Sequence, residues 1–287
     1  MASYALGMSE FTTWPWTFER DVEQYAALGI ECIEVCEFKL DPTRMQDQLA
    51  TIGGAGLTIS SIQPLVRTLY PSISQPEPHN VGERMERFKE SIRLFGSHGE
   101  GVAFVTNTGI PPGGNIQEVV DVAASRYREL ADFAADHGAL IALEPLNPSI
   151  MNIESAIWTL EQAMRIVAAV RRDNFGICLD FWNIWQNPGI EDAIRACGQI
   201  LVVQVSDWRT PRSTQDRAIP GDGEIPMGRL IAATRDSGFT GPYSIEIFSG
   251  NVPDALWEAD LVEVIEASRR GFDAAWEASS PFLAGRR

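Results

Sequence analysis

The residues best suited to chemistry are three acids and one amide, each closing a short apolar run: Glu144, Asp180, Gln204 and Glu246. Each run is aliphatic or β-branched, and a helical pattern separates it from the next, which predicts parallel strands joined by helices. Parallel strands have their C-terminal ends at one face, so the four side chains should converge there. Carboxylate and amide oxygens together favour a hard divalent cation.

The elements that would position these side chains form a regular alternation of strands and helices. We predict one domain spanning residues 1–287, folded as a single (β/α)₈ TIM barrel of the α/β class. The eight predicted strands lie near 3–7, 32–36, 57–63, 101–106, 139–144, 175–180, 200–206 and 242–247. The predicted helices lie near 17–28, 43–55, 80–97, 115–137, 154–170, 189–197, 226–237 and 255–278.

A doubly wound open sheet is the competing architecture. It would require a glycine-rich phosphate turn after the first strand. The sequence there is SEFTTWPW, at residues 9–16, and the chain contains no dinucleotide or Walker motif. The stretch from Trp208 to Pro226 follows the seventh predicted strand, so we expect it at the C-terminal face, where barrel enzymes have their active sites.

Charge and composition limit the classes of partner. The formal net charge of −16 disfavours nucleic acid, because such a surface repels phosphate backbones. The first residues do not resemble a signal peptide, and no run of 18 apolar residues predicts a membrane span. We therefore expect a cytoplasmic protein that binds no membrane. We also expect a homo-oligomer, either a dimer or a tetramer. The four cysteines are expected to be reduced, buried thiols.

Five stretches carry a resemblance to a known family. They are LEPLN from residue 143, LDFWN from 179, VQVSD from 203, DRAIPGDGEIP from 216 and YSIEI from 243. In these the chain resembles the xylose-isomerase-like TIM-barrel family of sugar isomerases, epimerases and dehydratases. The resemblance extends over most of the chain and is most specific between about residues 139 and 248.

The resemblance implies a ligand set and a cofactor. In that family the residues equivalent to Glu144, Asp180, Gln204 and Glu246 bind one divalent metal ion, and hydroxypyruvate-isomerase-like members use glutamine in the third place. An oxygen-only set favours Mn²⁺, with Mg²⁺, Co²⁺ or Zn²⁺ as alternatives. Glu144 and Glu246 are also the catalytic acid and base that the resemblance implies.

Candidate substrate-binding residues surround this set. Asn183 stands where many family members have a histidine, and neighbouring Trp182 and more distant Trp14 could stack on a sugar ring or an aromatic aglycone. By resemblance Arg217 reaches the substrate or the metal. Three candidates remain: Lys39 follows the second predicted strand, Gln63 ends the third, and His79 lies in a loop region of the upper face.

The predicted function is a divalent-metal-dependent sugar isomerase or epimerase. It would have a small sugar-like molecule as the substrate, a keto sugar or polyol, and remove a proton next to a carbonyl, through a metal-bound enediolate. A metal-dependent lyase or dehydratase is the first alternative, resembling an inosose dehydratase or eliminating from an oxidised glycoside. A non-catalytic sugar-binding or partner subunit is the second. An apurinic endonuclease of this fold is disfavoured, since it needs several zinc-binding histidines and a basic groove, whereas the chain has 3 histidines.

Overall fold

A computed structural model describes residues 4–111, 113, 116–151, 153–210 and 215–279. Eight parallel strands close into one barrel in chain order, with β1 paired to both β2 and β8, as predicted. The strands are β1 Leu6–Ser9, β2 Cys32–Cys36, β3 Thr58–Gln63, β4 Ala103–Thr106, β5 Leu140–Leu143, β6 Phe175–Asp180, β7 Ile200–Val205 and β8 Tyr243–Ile245.

Helices lie between the strands. They are α1 Phe18–Ala27, α2 Met45–Gly54, α3 Val81–Phe95, α4 Ile116–Ala135, α5 Leu160–Val170, α6 Phe181–Ile184, α7 Ile190–Ala196, α8 Met227–Asp236 and α9 Leu261–Ala278. Their apolar faces bury large side chains such as Tyr25, Phe95, Tyr127 and Phe272 against the strands. Among the described residues, no helix is both long enough and apolar enough to cross a membrane.

Three element boundaries differ from prediction by more than two residues. The first strand is shifted toward Ser9, because Ser9 and Glu10 are polar residues buried at the end of the barrel, which an apolar pattern does not detect. The fifth helix begins at Leu160 instead of 154, where Thr159 and Gln162 form a capping box. The last helix begins at Leu261, after a separate 3₁₀ turn at Leu256–Glu258.

A short helix that was not predicted follows β6 directly. Its N-cap is Asp180, whose carboxylate accepts a hydrogen bond from the Trp182 amide at 3.0 Å. The acid that ends β6 therefore also starts α6, and the turn places Asn183 beside it. This local geometry helps to build the site.

Candidate active site

Three carboxyl groups meet at the C-terminal end of the barrel. Glu144 directly follows β5, Asp180 ends β6 and Glu246 directly follows β8. One oxygen of each lies within 4.8 Å of the others, and all three side chains are buried. Backbone hydrogen bonds hold two of these positions: the Glu144 amide donates to Thr106 and the Glu246 amide to Val205. The barrel thus supplies three converging oxygen donors.

Gln204 lies at the bottom of this group, fully buried on β7. Its Nε2 donates to Glu246 Oε1 at 2.9 Å and to Glu34 Oε2 at 2.9 Å, while its Oε1 accepts from Cys178 Sγ at 3.0 Å. Gln204 therefore meets the carboxylates through its amide nitrogen. To act as a metal ligand it would have to turn its amide so that Oε1 faces them.

A fourth carboxyl group, Glu34 on β2, was not identified in the sequence. It is fully buried, accepts hydrogen bonds from Gln204 and Ser61, and lies inside the barrel below the three acids. The sequence feature that could have revealed Glu34 is its position as a single acid in the middle of the apolar run CIEVC. A charged residue in such a strand indicates a polar barrel interior, because an unpaired buried carboxylate is strongly unfavourable.

Arg217 compensates part of this charge. Its guanidinium pairs with Asp180 Oδ2 at 2.9 Å and with Glu246 Oε2 at 2.7 Å. The Arg217 amide donates to the carbonyl of Phe248 at 2.7 Å, which ties the long loop after β7 to the end of β8. The faces of Trp182 and Phe248 flank the guanidinium, with centroids 5.0 and 4.9 Å from Cζ.

Asn183 bridges two of the acids. Its Nδ2 donates to Glu144 Oε1 at 2.8 Å and to Asp180 Oδ2 at 2.7 Å. Its Oδ1 accepts from the backbone N–H of Asn147 at 2.9 Å, which fixes the orientation of the Asn183 side chain. Asn183 is buried and contacts the carboxylates, so it can set the spacing between Glu144 and Asp180.

The electrostatics of the group favour a bound cation. Glu34, Glu144, Asp180 and Glu246 are buried carboxyl groups, and Arg217 forms ion pairs with Asp180 and Glu246. Burial, and then the charge of Asp180, raise the pKa of Glu144 to about 8. Burial is also the main reason that the pKa values of Asp180 and Glu246 are raised. A hard divalent ion would offset this repulsion, so the donor set fits such an ion.

A cavity of about 260 Å³ opens above the acids. Aromatic side chains form much of its wall: Phe11, Trp14, Trp182, Phe248 and Trp257. The rings of Phe11 and Phe248 are 4.4 Å apart, and those of Trp14 and Trp257 are 6.1 Å apart and nearly parallel. Polar side chains complete the lining, among them Gln63, Arg67, Asn107 and Glu154. The cavity can hold a molecule that has both an apolar face and several hydroxyl groups.

Most predicted substrate-binding residues line this cavity, and two do not. Gln63, Trp14, Trp182, Asn183 and Arg217 line it. Lys39 is not part of the described lining: its ammonium group forms an ion pair with buried Asp21 and donates to the Thr13 carbonyl at 3.2 Å. His79 lies farther out, beside a separate groove, with its side chain 77% exposed and paired with Glu77 at 3.3 Å.

Lys39 belongs to a second buried polar cluster, between β1, α1 and the turn after β2. Asp21 accepts from Thr13 Oγ1 at 2.6 Å, and Glu10 accepts from the Cys36 amide at 2.7 Å. The ammonium group of Lys39 therefore balances the charge of Asp21 and Glu10 inside this cluster. The sequence placed Lys39 correctly after β2, but the direction of its side chain depends on acids that are distant in the chain.

The fold agrees with comparisons to known proteins. Inosose isomerase of Bacillus subtilis (strain 168) is 30% identical over 238 residues, covering 79% of this chain and 83% of the relative. The 3-dehydroshikimate dehydratase of Pseudomonas putida is 24% identical over 251 residues, covering 81% of this chain but 36% of that longer protein.

Solved structures show the same barrel. A crystal structure of the IOLI protein with a binding zinc atom has a TM-score of 0.80, at 21% identity, covering 96% of this chain and 99% of that one. An L-ribulose 3-epimerase has a TM-score of 0.71 at 20% identity, covering 99% of this chain and 100% of that one. The sequence profile of the xylose isomerase-like TIM barrels matches residues 22–270. The chain therefore belongs to the xylose isomerase-like TIM-barrel family.

Proposed function

We propose that this protein is a divalent-metal-dependent isomerase or epimerase acting on a keto sugar or cyclic polyol. The observation that carries the proposal is the group of three buried carboxylates within 4.8 Å of one another at the base of a cavity. The relatives that act as inosose isomerase and L-ribulose 3-epimerase support the same class of reaction. The substrate is a small molecule with a carbonyl and a neighbouring hydroxyl.

Glu144, Asp180 and Glu246 would hold the metal, with Gln204 as a fourth ligand once its amide oxygen faces them. The donors are all oxygens, which favours Mn²⁺ or Mg²⁺ over softer ions, although Co²⁺ and Zn²⁺ also suit such a set. When bound, the ion would polarise a substrate carbonyl and so acidify the neighbouring C–H group.

Two carboxylates are proposed to move the proton. Glu144 follows β5 and Glu246 follows β8, and β6 and β7 lie between these strands in the barrel. The two carboxylates can therefore approach the substrate from different sides. Burial disfavours the charged form of both, which makes them stronger bases once deprotonated. Return of the proton to the opposite face of the same carbon gives epimerisation, and return to the neighbouring carbon gives isomerisation.

The other lining residues are proposed to orient the substrate. Arg217 and Asn183 hold the carboxylates in place and can donate to substrate oxygens. Trp182 and Trp14 offer ring faces for an apolar side of the substrate, each stacked pair contributing about 0.5–1.5 kcal/mol beyond area burial. Gln63, at the end of β3, adds a polar group on the other side of the cavity.

A metal-dependent dehydratase or lyase is the second candidate. The relatives that act as 3-dehydroshikimate dehydratase favour it, as does the aromatic wall, which suits a ring with few hydroxyl groups. Both reactions start with the same proton removal. They differ only in whether the proton returns or a β-substituent leaves.

The test is solvent exchange with product analysis. The protein is loaded with Mn²⁺ and incubated in D₂O with a panel of keto sugars, inososes and 3-dehydroshikimate. Deuterium next to the carbonyl in a product of otherwise unchanged mass supports the isomerase or epimerase. Loss of water or of an aglycone would instead favour the lyase. No exchange with any substrate, and no metal uptake, would favour a non-catalytic binding protein.

A further inference from the structure

Arg67 is a cavity residue that the proposed reaction does not use. It lies four residues beyond the end of β3, and its backbone is held on both sides. The Arg67 amide donates to Gln75 Oε1 at 3.0 Å, and its carbonyl accepts from Thr106 Oγ1 at 2.7 Å and from the Asn107 amide at 3.1 Å. These contacts fix the position from which the side chain enters the cavity.

The guanidinium of Arg67 lies beside the face of Phe11, with Cζ 5.9 Å from the ring centroid. Within the part of the chain that the structure describes, no carboxylate forms an ion pair with it. Four acids border the same space: Glu144, Glu154 and Glu246 line the cavity, and Glu77 lines the adjoining groove. Glu246 pairs with Arg217, and two of the others also have contacts elsewhere. Glu154 accepts from the Ser74 amide at 3.0 Å and from its hydroxyl at 2.6 Å, and Glu77 pairs with His79.

A second arginine lies behind the segment that carries Arg67 and adds positive charge there. Arg84, on α3, is buried and directs its guanidinium to backbone oxygens, with Nε 2.7 Å from the Thr68 carbonyl and Nη1 2.8 Å from the Pro78 carbonyl. Burial, and then the nearby charge of Arg67, lower the pKa of Arg84 to about 10. Arg84 contacts the carbonyl of Thr68, the residue that follows Arg67, and no described carboxylate forms an ion pair with either arginine.

The two arginines that line the cavity lie on opposite sides of it, and only Arg217 has a carboxylate partner among the described residues. Glu246 and Arg217 lie at the β7–β8 side, whereas Arg67 projects from the β3–β4 side, which the closed strand order places across the barrel. The charge of Arg67 reaches Glu144, whose pKa it lowers in part, but a neutral sugar would leave the guanidinium without an anion at ion-pair distance. An anionic group would form charge-assisted hydrogen bonds with the guanidinium, in a planar geometry that matches a carboxylate or a phosphate.

We propose that the substrate carries an anionic group, a carboxylate or a phosphate, which Arg67 binds while the carbonyl and hydroxyl groups face Glu144 and Glu246. This inference rests on the proposed function and narrows its substrate class to acidic keto sugars or keto polyols. Arg67 is partly buried and lies over the apolar ring of Phe11, and a hydrogen bond to an anion is stronger in such surroundings than in water.

Direct binding to matched pairs of compounds tests this assignment. The titrants are 3-dehydroshikimate against its methyl ester, and D-fructose 6-phosphate against D-fructose, measured by calorimetry with Mn²⁺-loaded and with metal-free protein. We expect one acid to bind about tenfold or more tightly than its neutral partner, the usual scale for a hydrogen bond to a charged group. The pair that shows the preference identifies the carboxylate or the phosphate.

Variants assign the preference to Arg67. Arg67→Gln should weaken binding of the preferred acid by about tenfold to a hundredfold and leave the neutral partner within about twofold. Arg67→Lys should keep part of the preference, because it retains the charge. The matched control is Arg20→Gln, an arginine on α1 that also stacks on a ring, Trp16, but lies outside the described cavity lining.

Three outcomes overturn the proposal: no acid binds more tightly than its neutral partner, the preference survives Arg67→Gln, or Arg67→Gln weakens both members of a pair equally. The last outcome would mean that Arg67 binds hydroxyl groups. If the proposed function is wrong, the protein takes up no metal and catalyses no solvent exchange. Both results are measured separately from the anion preference.

Discussion

Glu246 is a residue of the site to which two separate roles are assigned, metal binding and proton transfer. It is a proposed ligand and a proposed base, and it is held by Arg217 and Gln204. A glutamine in its place keeps an oxygen donor and the side-chain volume, but it cannot accept a proton. Substitution therefore separates binding from proton transfer.

We predict that Glu246→Gln retains metal and loses turnover by about 10²–10⁴, the usual scale of general acid–base catalysis. Metal content by elemental analysis and the rate of deuterium exchange are the two measurements. Glu258→Gln, at an acid in the turn before α9, is the control and should leave both unchanged. Exchange at a normal rate in Glu246→Gln would show that Glu246 is not the base.

The raised pKa of Glu144 predicts how stability depends on pH. The folded protein keeps a proton on this carboxyl up to about pH 8, whereas the unfolded chain loses it near its ordinary pKa of 4.5. The folded state therefore binds more protons across this window, so the metal-free protein should lose stability as pH rises from about 5 to 8. The slope reaches about 1.4 kcal/mol per pH unit for each such proton.

Urea unfolding at pH 6 and pH 8 in the presence of a chelator measures this effect. Asp180 and Glu246 shift in the same direction and add to it. Glu144→Gln should flatten the dependence, because it removes the group with the raised pKa. Stability that rises with pH across this range would contradict the prediction.

At the scale of elements, the long loop after β7 positions Arg217. Asp207 organises the loop, since its carboxylate accepts from the amides of Gly221 and Ile225, both at 2.9 Å. Gly223 lies against this carboxylate and the Trp208 carbonyl, so a Cβ there would collide with both. The loop can pack closely only because this residue has no side chain.

We predict that Gly223→Ala destabilises the protein by about 1–3 kcal/mol, as overpacking commonly does, and lowers Tm by about 2–10 °C. Turnover should fall as well, because the distorted loop carries Arg217. The control is Gly198→Ala, where a Cβ meets no heavy atom within 4 Å, and its Tm should stay close to that of the parent. Equal Tm values for the two variants would refute this account of the loop.

At the scale of the whole molecule, a metal ion would couple the strands that supply its ligands. Glu144, Asp180 and Glu246 come from three strands, so binding stabilises the closed barrel against unfolding. A ligand at 100 times its Kd stabilises the folded state by about 2.7 kcal/mol. For a protein of this size, that corresponds to a rise in Tm of about 5–10 °C.

Thermal unfolding with and without Mn²⁺ measures this stabilisation. Asp180→Asn removes one charge and should reduce the metal-induced shift, whatever its effect on the starting Tm. Asp192→Asn, at an exposed acid on α7, is the control and should leave the shift unchanged. A full shift in Asp180→Asn would place the ion elsewhere.

The barrel and the strand ends that carry its acids could be predicted from the sequence. Alternating apolar runs and amphipathic stretches identify strands and helices because both patterns are local, and strand-end acids such as Glu144 and Asp180 follow directly from them. The sequence was less informative where polar residues are buried, as at Ser9 and at Glu34 on β2.

How these side chains contact one another depends on the tertiary structure. Gln204 bonds to Glu34 across 170 positions of sequence and turns its amide nitrogen toward the acids, whereas Lys39 turns to Asp21 instead of the cavity. Arg67 acquires its place in the cavity only because β3 and β4 lie side by side. The sequence pattern fixes which end of a strand a residue occupies, but the direction of a polar side chain depends on the charges around it, and the closed barrel brings those together.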